Sequence, residues 1–417
     1  MNAESVTFKK KFQDFNSKAA FFCAIGFMFF IPISTALMNI FIFFTFIFFC
    51  LSANFKKNLL IIWQNPVSKI ALILFGLLLL GMTWSITGLI ESLEVLKKYN
   101  ELWYLGFLIP VFNTNQRREM GIIFFLTSMG IILFGVYLMF FGVILPLEIS
   151  FHGKTQHFNI DGGFASHIIT NILMAFAMFI SAHKAINAKG LLKLFYFFYF
   201  IFSSYYVIFI STGTTGQIIG ISLLALILFQ YLKKVALIII PILLVSISLY
   251  STINVDSSIN HAIDKIMNRI DKSRPTYTAE INSRPQLYIH AIKVILEDPW
   301  IGTGTGSYKE AIKTKQLDFY KRTHHIKNPH SEYLMISVQL GLIGFLALVY
   351  LFAIQGISSF KIKNNEQKYM AQGLVVLILI GCIFNSLLMD SRDGHFWAFF
   401  SALLFSNLVT KDSLPSN

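Results

Sequence analysis

The sequence predicts an all-α polytopic membrane protein with about twelve transmembrane helices and one large outer loop. Hydrophobic residues make up 55% of its 417 residues, whereas charged residues make up only 13%. Apolar stretches of roughly 20 residues, the length that crosses a bilayer as a helix, recur from one end of the chain to the other. Lysines and arginines cluster in the short connections between these stretches, which is typical of cytoplasmic loops.

Each apolar stretch is predicted to form one helix, and the first is expected to stay uncleaved because no small-residue cleavage site follows it. The predicted spans are 19–35, 37–53, 69–88, 102–113, 120–145, 164–182, 192–211, 217–232, 235–252, 332–355, 369–388 and 395–409. The chain is thereby divided into nine helices in residues 1–252, an outer loop domain in 253–331 and three helices in 332–417.

Basic residues set the predicted orientation, because short loops rich in Lys and Arg remain in the cytoplasm. With the N-terminus inside, each short inner loop carries such residues: Lys56 and Lys57, Arg117 and Arg118, Lys184 and Lys189, Lys233 and Lys234, and Lys361, Lys363 and Lys368. The stretch 146–163, the turn "STGTTGQ" (211–217) and the loop 253–331 are then expected on the outside.

The outer loop 253–331 is basic, with four arginines and eight lysines. The positive-inside rule applies mainly to short loops, so the charge of this long outer loop needs another explanation. Arginine offers paired donors to phosphate oxygens, which indicates an anionic lipid or glycolipid as the ligand, and nucleic acid is not expected. A solvated basic surface that meets anionic headgroups is the alternative.

One helix is predicted inside this loop, in "NSRPQLYIHAIKVILEDPW" (282–300). Ser283 and Gln286 form a capping box, and Pro285 suits the first helical turn. Arg284 therefore lies at a helix start, where the helix dipole disfavours a cation. This position suggests a binding role rather than a capping role.

Glycine recurs at every second position in "GTGTG", residues 302–306. Such a series can cradle a phosphate, but this one follows a helix rather than a strand and lacks the lysine of a P-loop. A flexible turn is therefore expected here.

The stretch "KNPHSEYLMISVQLGLIGF", residues 327–345, places a histidine where polar residues give way to the tenth apolar span. Ser331 is predicted to cap the helix. Because an imidazolium is disfavoured at a helix N-terminus, His330 is expected to be neutral and able to accept a proton. An anchor at the level of the lipid headgroups is the alternative role.

Two motifs, "SRxxLYxxAIxxIxxxPWxGxGxGSY" from Ser283 and "PHSEYLxxxxxxGLIG" from Pro329, resemble the bacterial O-antigen ligase and polymerase superfamily. The stretch "SLEVLKKYNELWYLGFLIPVF" and the twelve-span layout are also similar. The resemblance implies a GT-C-like glycosyltransferase of the bacterial inner membrane with its active site facing the periplasm. It further implies an undecaprenyl-diphosphate-linked glycan as donor, lipid A-core as acceptor and contacts with membrane lipids. The length is nearest that of the ligase branch.

The same resemblance assigns Arg284 to the lipid diphosphate and His330 to activation of the acceptor hydroxyl, both as catalytic residues. A diphosphate leaving group needs cations and the hydroxyl needs a base, so no cofactor or metal is expected. Cys23, Cys50 and Cys382 all lie in apolar stretches and indicate neither disulfides nor a metal site. The candidate substrate-binding residues are Arg392, Arg322, Thr215, Gln217 and Tyr333.

The sequence departs from the family pattern at Thr215, which stands where the family has a second arginine. Arg392, in "MDSRDGH" on the same predicted side, is a candidate for the missing charge. A structural ion pair of Arg392 with Asp390 or Asp393 is the alternative.

Three other activities remain open from the sequence. An O-antigen polymerase or a protein O-oligosaccharyltransferase of the same superfamily would use the same donor chemistry with a different acceptor. A non-enzymatic lipid or polysaccharide transporter is a further alternative. Coupled transport is disfavoured because no Lys, Arg, Asp or Glu lies deep in a predicted span.

Overall fold

The computed structural model describes residues 3–52, 55–151, 154–233, 284–323 and 326–409. The α-helices are α1 (Ala3–Phe30), α2 (Thr35–Leu51), α3 (Phe55–Gln64), α4 (Pro66–Gly81), α5 (Leu89–Leu96), α6 (Glu101–Leu108), α7 (Asn115–Phe140), α8 (His167–Asn187), α9 (Gly190–Tyr205), α10 (Thr214–Leu232), α11 (Arg284–Glu297), α12 (Tyr308–Lys315), α13 (Leu317–Thr323), α14 (Glu332–Ser359), α15 (Asn365–Phe384) and α16 (Ser391–Phe405). Tyr206–Ile210 extends α9 as a π-helical turn.

Six helices in these ranges are long and apolar enough to cross a membrane: α7, α8, α9 with its π-helical turn, α10, α14 and α15. The bent pair α2 and α3 adds a seventh if it forms one span. The predicted class, an all-α membrane protein, is confirmed by these helices. The count of twelve spans and the outer loop domain stay predictions. The predicted ninth span, 235–252, lies outside the described residues.

The fourth predicted span, 102–113, is not one continuous α-helix. The helix α6 has 8 residues, which corresponds to about 12 Å at the rise of an α-helix. A 3-10 helix, Ile109–Phe112, follows it directly. Pro110 contributes to this change because it lacks the N–H that would continue the α-helical hydrogen bonds.

A small antiparallel hairpin occurs where the sequence predicted no strands. It consists of β1 (Glu148–Phe151) and β2 (Lys154–His157). Ser150 and Thr155 face each other in this pairing, and their hydroxyl oxygens are 2.8 Å apart. Such cross-strand hydroxyl pairs stabilise a sheet locally, and segments this short carry too little periodicity to be recognised beforehand.

Polar contacts gather the helix ends into two groups. In one group, the start of α8 meets the start of α10, where the Asn171 Nδ2 donates to the Gly213 carbonyl at 2.8 Å. In the opposite group, Lys184 near the end of α8 forms ion pairs with Glu119 of α7 and Glu366 of α15. The helices α8 and α10 therefore run in one direction and α7 and α15 in the other, as the predicted topology requires.

Phenylalanine rings form the centre of the bundle, where α7, α8 and α16 meet. The Phe400 ring lies 4.8 Å from Phe125 and 4.9 Å from Phe176, both edge to face. Each such pair contributes about 0.5–1.5 kcal/mol beyond simple burial. Between helices in lipid, packing contacts of this kind replace the hydrophobic driving force as the source of association.

Residues 299–307, called the glycine segment below, lie between α4 and a break in α14. The break is at Gly341, whose φ of 58° interrupts the helix. The segment donates to the carbonyls before the break, from Thr303 N to Val338 O and from Gly304 N to Gln339 O, both at 2.9 Å. Its own carbonyls accept from the two N–H groups after the break, including Leu342 N to Pro299 O at 2.7 Å. The segment thus replaces the helical hydrogen bonds that the break removes.

Glycine is required in this segment for two reasons. Gly302, Gly304 and Gly306 have φ values of 64°, 92° and 82°, which side chains strongly disfavour. A Cβ at Gly304 would also lie 2.1 Å from the Cα of Ser85. The expected turns are therefore present, but they are packed and hydrogen-bonded rather than free to flex.

Candidate active site

The helix α11 begins at Arg284, so the helix start predicted from local signals is present. One face of α11 packs against α14. The buried residues of α11 are Leu287, Ala291 and Val294. The helix ends at Glu297, two residues before Pro299, as predicted. Ser283, the expected capping residue, lies outside the described residues.

Arg284 is half-buried, and its Nη2 donates to the Oδ1 of Asn385 at 3.2 Å. Asn385 is the residue that ends α15. The contact therefore connects the start of α11 to the end of α15. Because the guanidinium is a planar fork, a bond to a fixed amide oxygen restricts the plane in which its N–H groups point.

His330 has a left-handed backbone, with φ at 53°. A non-glycine residue in this region costs about 1–3 kcal/mol and persists only where its surroundings hold it. Its N–H donates to the Asn328 Oδ1 at 2.9 Å, and its carbonyl lies 3.2 Å from the Tyr288 hydroxyl. The same hydroxyl lies 2.6 Å from the Ile383 carbonyl. Backbone strain of this kind is frequent at functional sites.

The pKa of the His330 imidazole is lowered, first by its partial enclosure and then by the positive charge of Arg284. The expected neutral state is therefore favoured, but by enclosure and a neighbouring guanidinium rather than by the helix start. The side chain remains exposed, so an incoming hydroxyl can reach it. A neutral imidazole beside a guanidinium combines a proton acceptor with an anion-binding group.

The residues after His330 fix the start of α14. Ser331 occupies the capping position, as predicted, but its side chain forms no cap hydrogen bond. Its hydroxyl donates instead to the Cys382 carbonyl at 3.2 Å. The Glu332 carboxylate accepts from the Tyr99 hydroxyl at 2.9 Å and from Leu388 N at 2.8 Å. These contacts hold the segment that carries His330 against α15 and its following loop.

Thr215 and Gln217 lie in the first turn of α10, far from Arg284 and His330 in the sequence. Thr215 is buried at 3% exposure. The Gln217 Nε2 donates to the carbonyls of Ile208 and Ser211 at 3.2 and 3.1 Å. The amide thus completes the backbone hydrogen bonds of the preceding turn. Its predicted role in substrate binding has no support from these contacts and stays a prediction.

Tyr333 and Arg392 make contacts within the protein. The Tyr333 hydroxyl donates to the Leu379 carbonyl of α15 at 3.2 Å. The Arg392 guanidinium, in a side chain exposed by only 4%, donates to the Pro32 carbonyl at 3.3 Å and to the Gln156 Oε1 at 3.4 Å. These bonds connect Arg392 to the α1–α2 turn and to the hairpin, and none of them joins it to Arg284 or His330.

The alternative for Arg392, a structural ion pair, is not what the contacts show. Asp390 caps α16 by accepting from the Arg392 backbone N–H at 3.2 Å, not from its guanidinium. Among the described residues, no ion pair within 4.0 Å joins the guanidinium to Asp390 or Asp393. The side chain of Arg322 lies outside the described part of the chain.

The glycine segment cannot cradle a phosphate in this conformation. The backbone N–H groups of Thr303, Gly304, Thr305 and Ser307 donate to backbone carbonyls, and that of Gly306 donates to the Gln339 Oε1 at 2.8 Å. Phosphate cradles depend on N–H groups that point at the ligand. The segment is therefore a structural element of the bundle.

Within the described ranges, no three His, Cys, Asp or Glu side chains are placed to hold one metal ion. The residues that contact Arg284 and His330 were not recognised in the sequence. Tyr288 follows Arg284 by one helical turn, a spacing that puts both on one face and could have identified it. Asn385 and Asn328 offered no comparable signal, since each is a single polar residue in a loop or at a helix end.

The helices of membrane length define an all-α membrane protein, and Arg284 and His330 form a candidate site in which partial enclosure and then the cation lower the pKa of the imidazole. Residues 198–349 match the sequence profile of a family described as O-Antigen ligase. The matched range contains the first turn of α10, Arg284 and His330. The resemblance given by the two motifs is confirmed, and the matched family suggests a function of the O-antigen ligase or polymerase type. A comparison with curated proteins found no match.

Proposed function

We propose that this protein is an O-antigen ligase. It transfers a polysaccharide from an undecaprenyl-diphosphate donor to lipid A-core, on the periplasmic face of the bacterial inner membrane and without a metal ion. The observation that supports this most directly is the contact between α11 and the segment of His330: Tyr288, one turn after Arg284, lies with its hydroxyl 3.2 Å from the His330 carbonyl.

The proposed reaction assigns one role to each residue. The neutral His330 takes the proton of the acceptor hydroxyl, whose oxygen forms a bond to the anomeric carbon of the donor glycan. The bond between that carbon and the phosphate oxygen breaks, and its electron pair leaves with undecaprenyl diphosphate. Arg284 stabilises the charge that develops on this leaving group, because its N–H fork matches phosphate oxygens.

Arg284 is suited to this role by its placement. A guanidinium held by Asn385 at 3.2 Å enters the reaction already oriented, and preorganised donors lose little free energy to reorientation during the reaction. Partial enclosure, and then the charge of Arg284, lower the pKa of His330, which favours a neutral base beside the cation. In this proposal, Arg284 acts on both the diphosphate leaving group and the base, His330.

Deletion of the gene in its host, followed by analysis of lipid A-core and of lipid-linked glycan, tests the proposal. A ligase leaves lipid A-core bare while full-length polymer accumulates on the lipid carrier. A polymerase leaves single repeat units in place of polymer. A protein O-oligosaccharyltransferase leaves lipid A-core unchanged and removes glycan from a protein. Either of the last two results overturns the ligase assignment.

A further inference from the structure

The backbone of His330 is held from two sides. Asn328 accepts from its N–H at 2.9 Å, and the Tyr288 hydroxyl lies 3.2 Å from its carbonyl. Together these contacts bracket the peptide groups on either side of the His330 Cα. Because φ is 53° there, a residue with a side chain needs such contacts to stay in this conformation.

Tyr288 also connects this peptide to the helix that carries Arg284. It lies four residues after Arg284 in α11, so both side chains leave the same face of the helix. Arg284 reaches Asn385, while the Tyr288 hydroxyl reaches the Ile383 carbonyl at 2.6 Å. The face of α11 that carries both residues therefore contacts the end of α15 through Arg284 and through Tyr288. Tyr288 also contacts His330.

The direction of the imidazole depends on this backbone conformation. In the left-handed region the Cα–Cβ bond points to a different side of the chain than in an extended or right-handed residue. If His330 relaxed to an ordinary conformation, its ring would leave the position in which Arg284 lowers its pKa.

We infer that Tyr288 is a positioning residue. Its hydroxyl shares one proton between the Ile383 carbonyl at 2.6 Å and the His330 carbonyl at 3.2 Å, and the second contact helps to hold the left-handed conformation that directs the imidazole toward the acceptor beside Arg284. The inference rests on the proposed function for its catalytic consequence. It deepens that function by naming the group that aligns the base with the cation.

Tyr288→Phe tests this, since it removes the hydroxyl and keeps the ring. Purified protein is supplied with undecaprenyl-diphosphate-linked glycan from the host and with lipid A-core. We expect kcat to fall roughly 3- to 10-fold, the effect of one lost neutral hydrogen bond, while KM for the donor stays unchanged. Asn328→Ala, which removes the acceptor of the His330 N–H in the preceding peptide group, should have the same signature.

Tyr137→Phe is the matched control, because its hydroxyl donates to the Phe202 carbonyl at 2.9 Å on another side of the bundle. Its kcat should equal that of the unmodified protein. If Tyr288→Phe lowers only thermal stability or abundance, with kcat per folded molecule unchanged, Tyr288 is a packing residue and the inference is wrong.

A second measurement separates this inference from the proposed function. The rate at which diethyl pyrocarbonate acylates His330, followed by mass spectrometry, measures how accessible its imidazole is to the reagent. We expect at least a threefold change in rate in Tyr288→Phe and Asn328→Ala, and none in Tyr137→Phe. If the unmodified protein fails to transfer glycan, the ligase assignment fails, and the acylation rates alone decide the role of Tyr288. Equal rates in all variants overturn it.

Discussion

In the proposed reaction, Arg284 acts on both the donor diphosphate and a neighbouring residue. Its bond to Asn385 restricts the guanidinium, and its charge favours the neutral form of His330. A lysine would supply the charge as a mobile point rather than as a planar fork. At the scale of single residues, the geometry of the donors therefore matters as much as the sign of the charge.

The first prediction concerns the identity of this cation. Arg284→Ala should abolish glycan transfer, and Arg284→Lys should keep little of it, because an ammonium cannot bind two diphosphate oxygens side by side. Transfer is measured with protein abundance in parallel. Lys293→Ala, which removes an exposed cation from the same helix, is the control and should transfer normally. Normal transfer by the abundant Arg284→Ala protein would exclude Arg284 from the site.

The second prediction concerns pH. His330 acts as a base only when neutral, and both enclosure and Arg284 lower its pKa below the ordinary value of 6.5. Activity should therefore be complete at pH 7 and should fall on acidification with a midpoint below 6.5. The pH dependence of kcat/KM measures this midpoint in the free enzyme.

His330→Asn provides the comparison for the pH profile. This variant should lower the chemical rate by roughly 10²-fold or more, as expected for the loss of a general base. Its kcat/KM should also lack the fall at low pH, called the acidic limb, that the unmodified protein shows. An acidic limb that persists unchanged in His330→Asn belongs to another group. A midpoint above 6.5 would show that Arg284 does not act on His330 as described.

At the scale of elements, α14 consists of two helical parts joined at Gly341. The first part begins after His330 and is fixed at its start by Ser331 and Glu332. Its other end is fixed by the glycine segment. The helical part that follows His330 is thus held at both ends by residues distant in sequence.

The third prediction tests this arrangement with Gly304→Ala. The new methyl group would meet the Ser85 backbone at a φ of 92°, so the free energy of unfolding should fall by more than ~1 kcal/mol. Thermal unfolding in detergent measures the change. Gly76→Ala is the control, since its Cβ meets nothing within 4 Å and alanine favours the helix. Equal stability of both variants would show that the segment can move aside.

The sequence predicted those elements whose signals are local. The start of α11 followed from Pro285 and its end from Pro299, because these residues act on the adjacent backbone. The contacts of Asn385 and Glu332 join segments far apart in the chain, and no local pattern encodes them. The left-handed conformation of His330 was likewise not predicted, since one of the two contacts to its backbone comes from Tyr288 in another helix.

At the scale of the whole molecule, polar contacts sort the helix ends into two groups. Arg284, His330 and Asn385 lie in one group, and Lys184 lies in the other with Glu119 and Glu366. A ligase of the proposed kind requires the first group to face the periplasm. Which group faces which compartment follows from the basic inner loops of the sequence, and it remains a prediction.

The fourth prediction is therefore topological. A reporter inserted within 253–331 should behave as periplasmic, whereas one inserted at 361–368 should behave as cytoplasmic. Paired fusions of alkaline phosphatase and green fluorescent protein measure both sites. A cytoplasmic signal from 253–331 would place Arg284 and His330 away from the lipid-linked polymer and would refute both the orientation and the ligase assignment.

The glycine segment has a consequence for biogenesis. Gly341 lies roughly 15 Å along α14 from its start, and an unpaired carbonyl at such a depth in lipid costs several kcal/mol. The ribosome releases α4 first, then the glycine segment, and only later the two parts of α14. The segment, which bonds to the end of α4 through Thr305 and Gly81, is therefore synthesised before the break in α14 whose backbone groups it pairs.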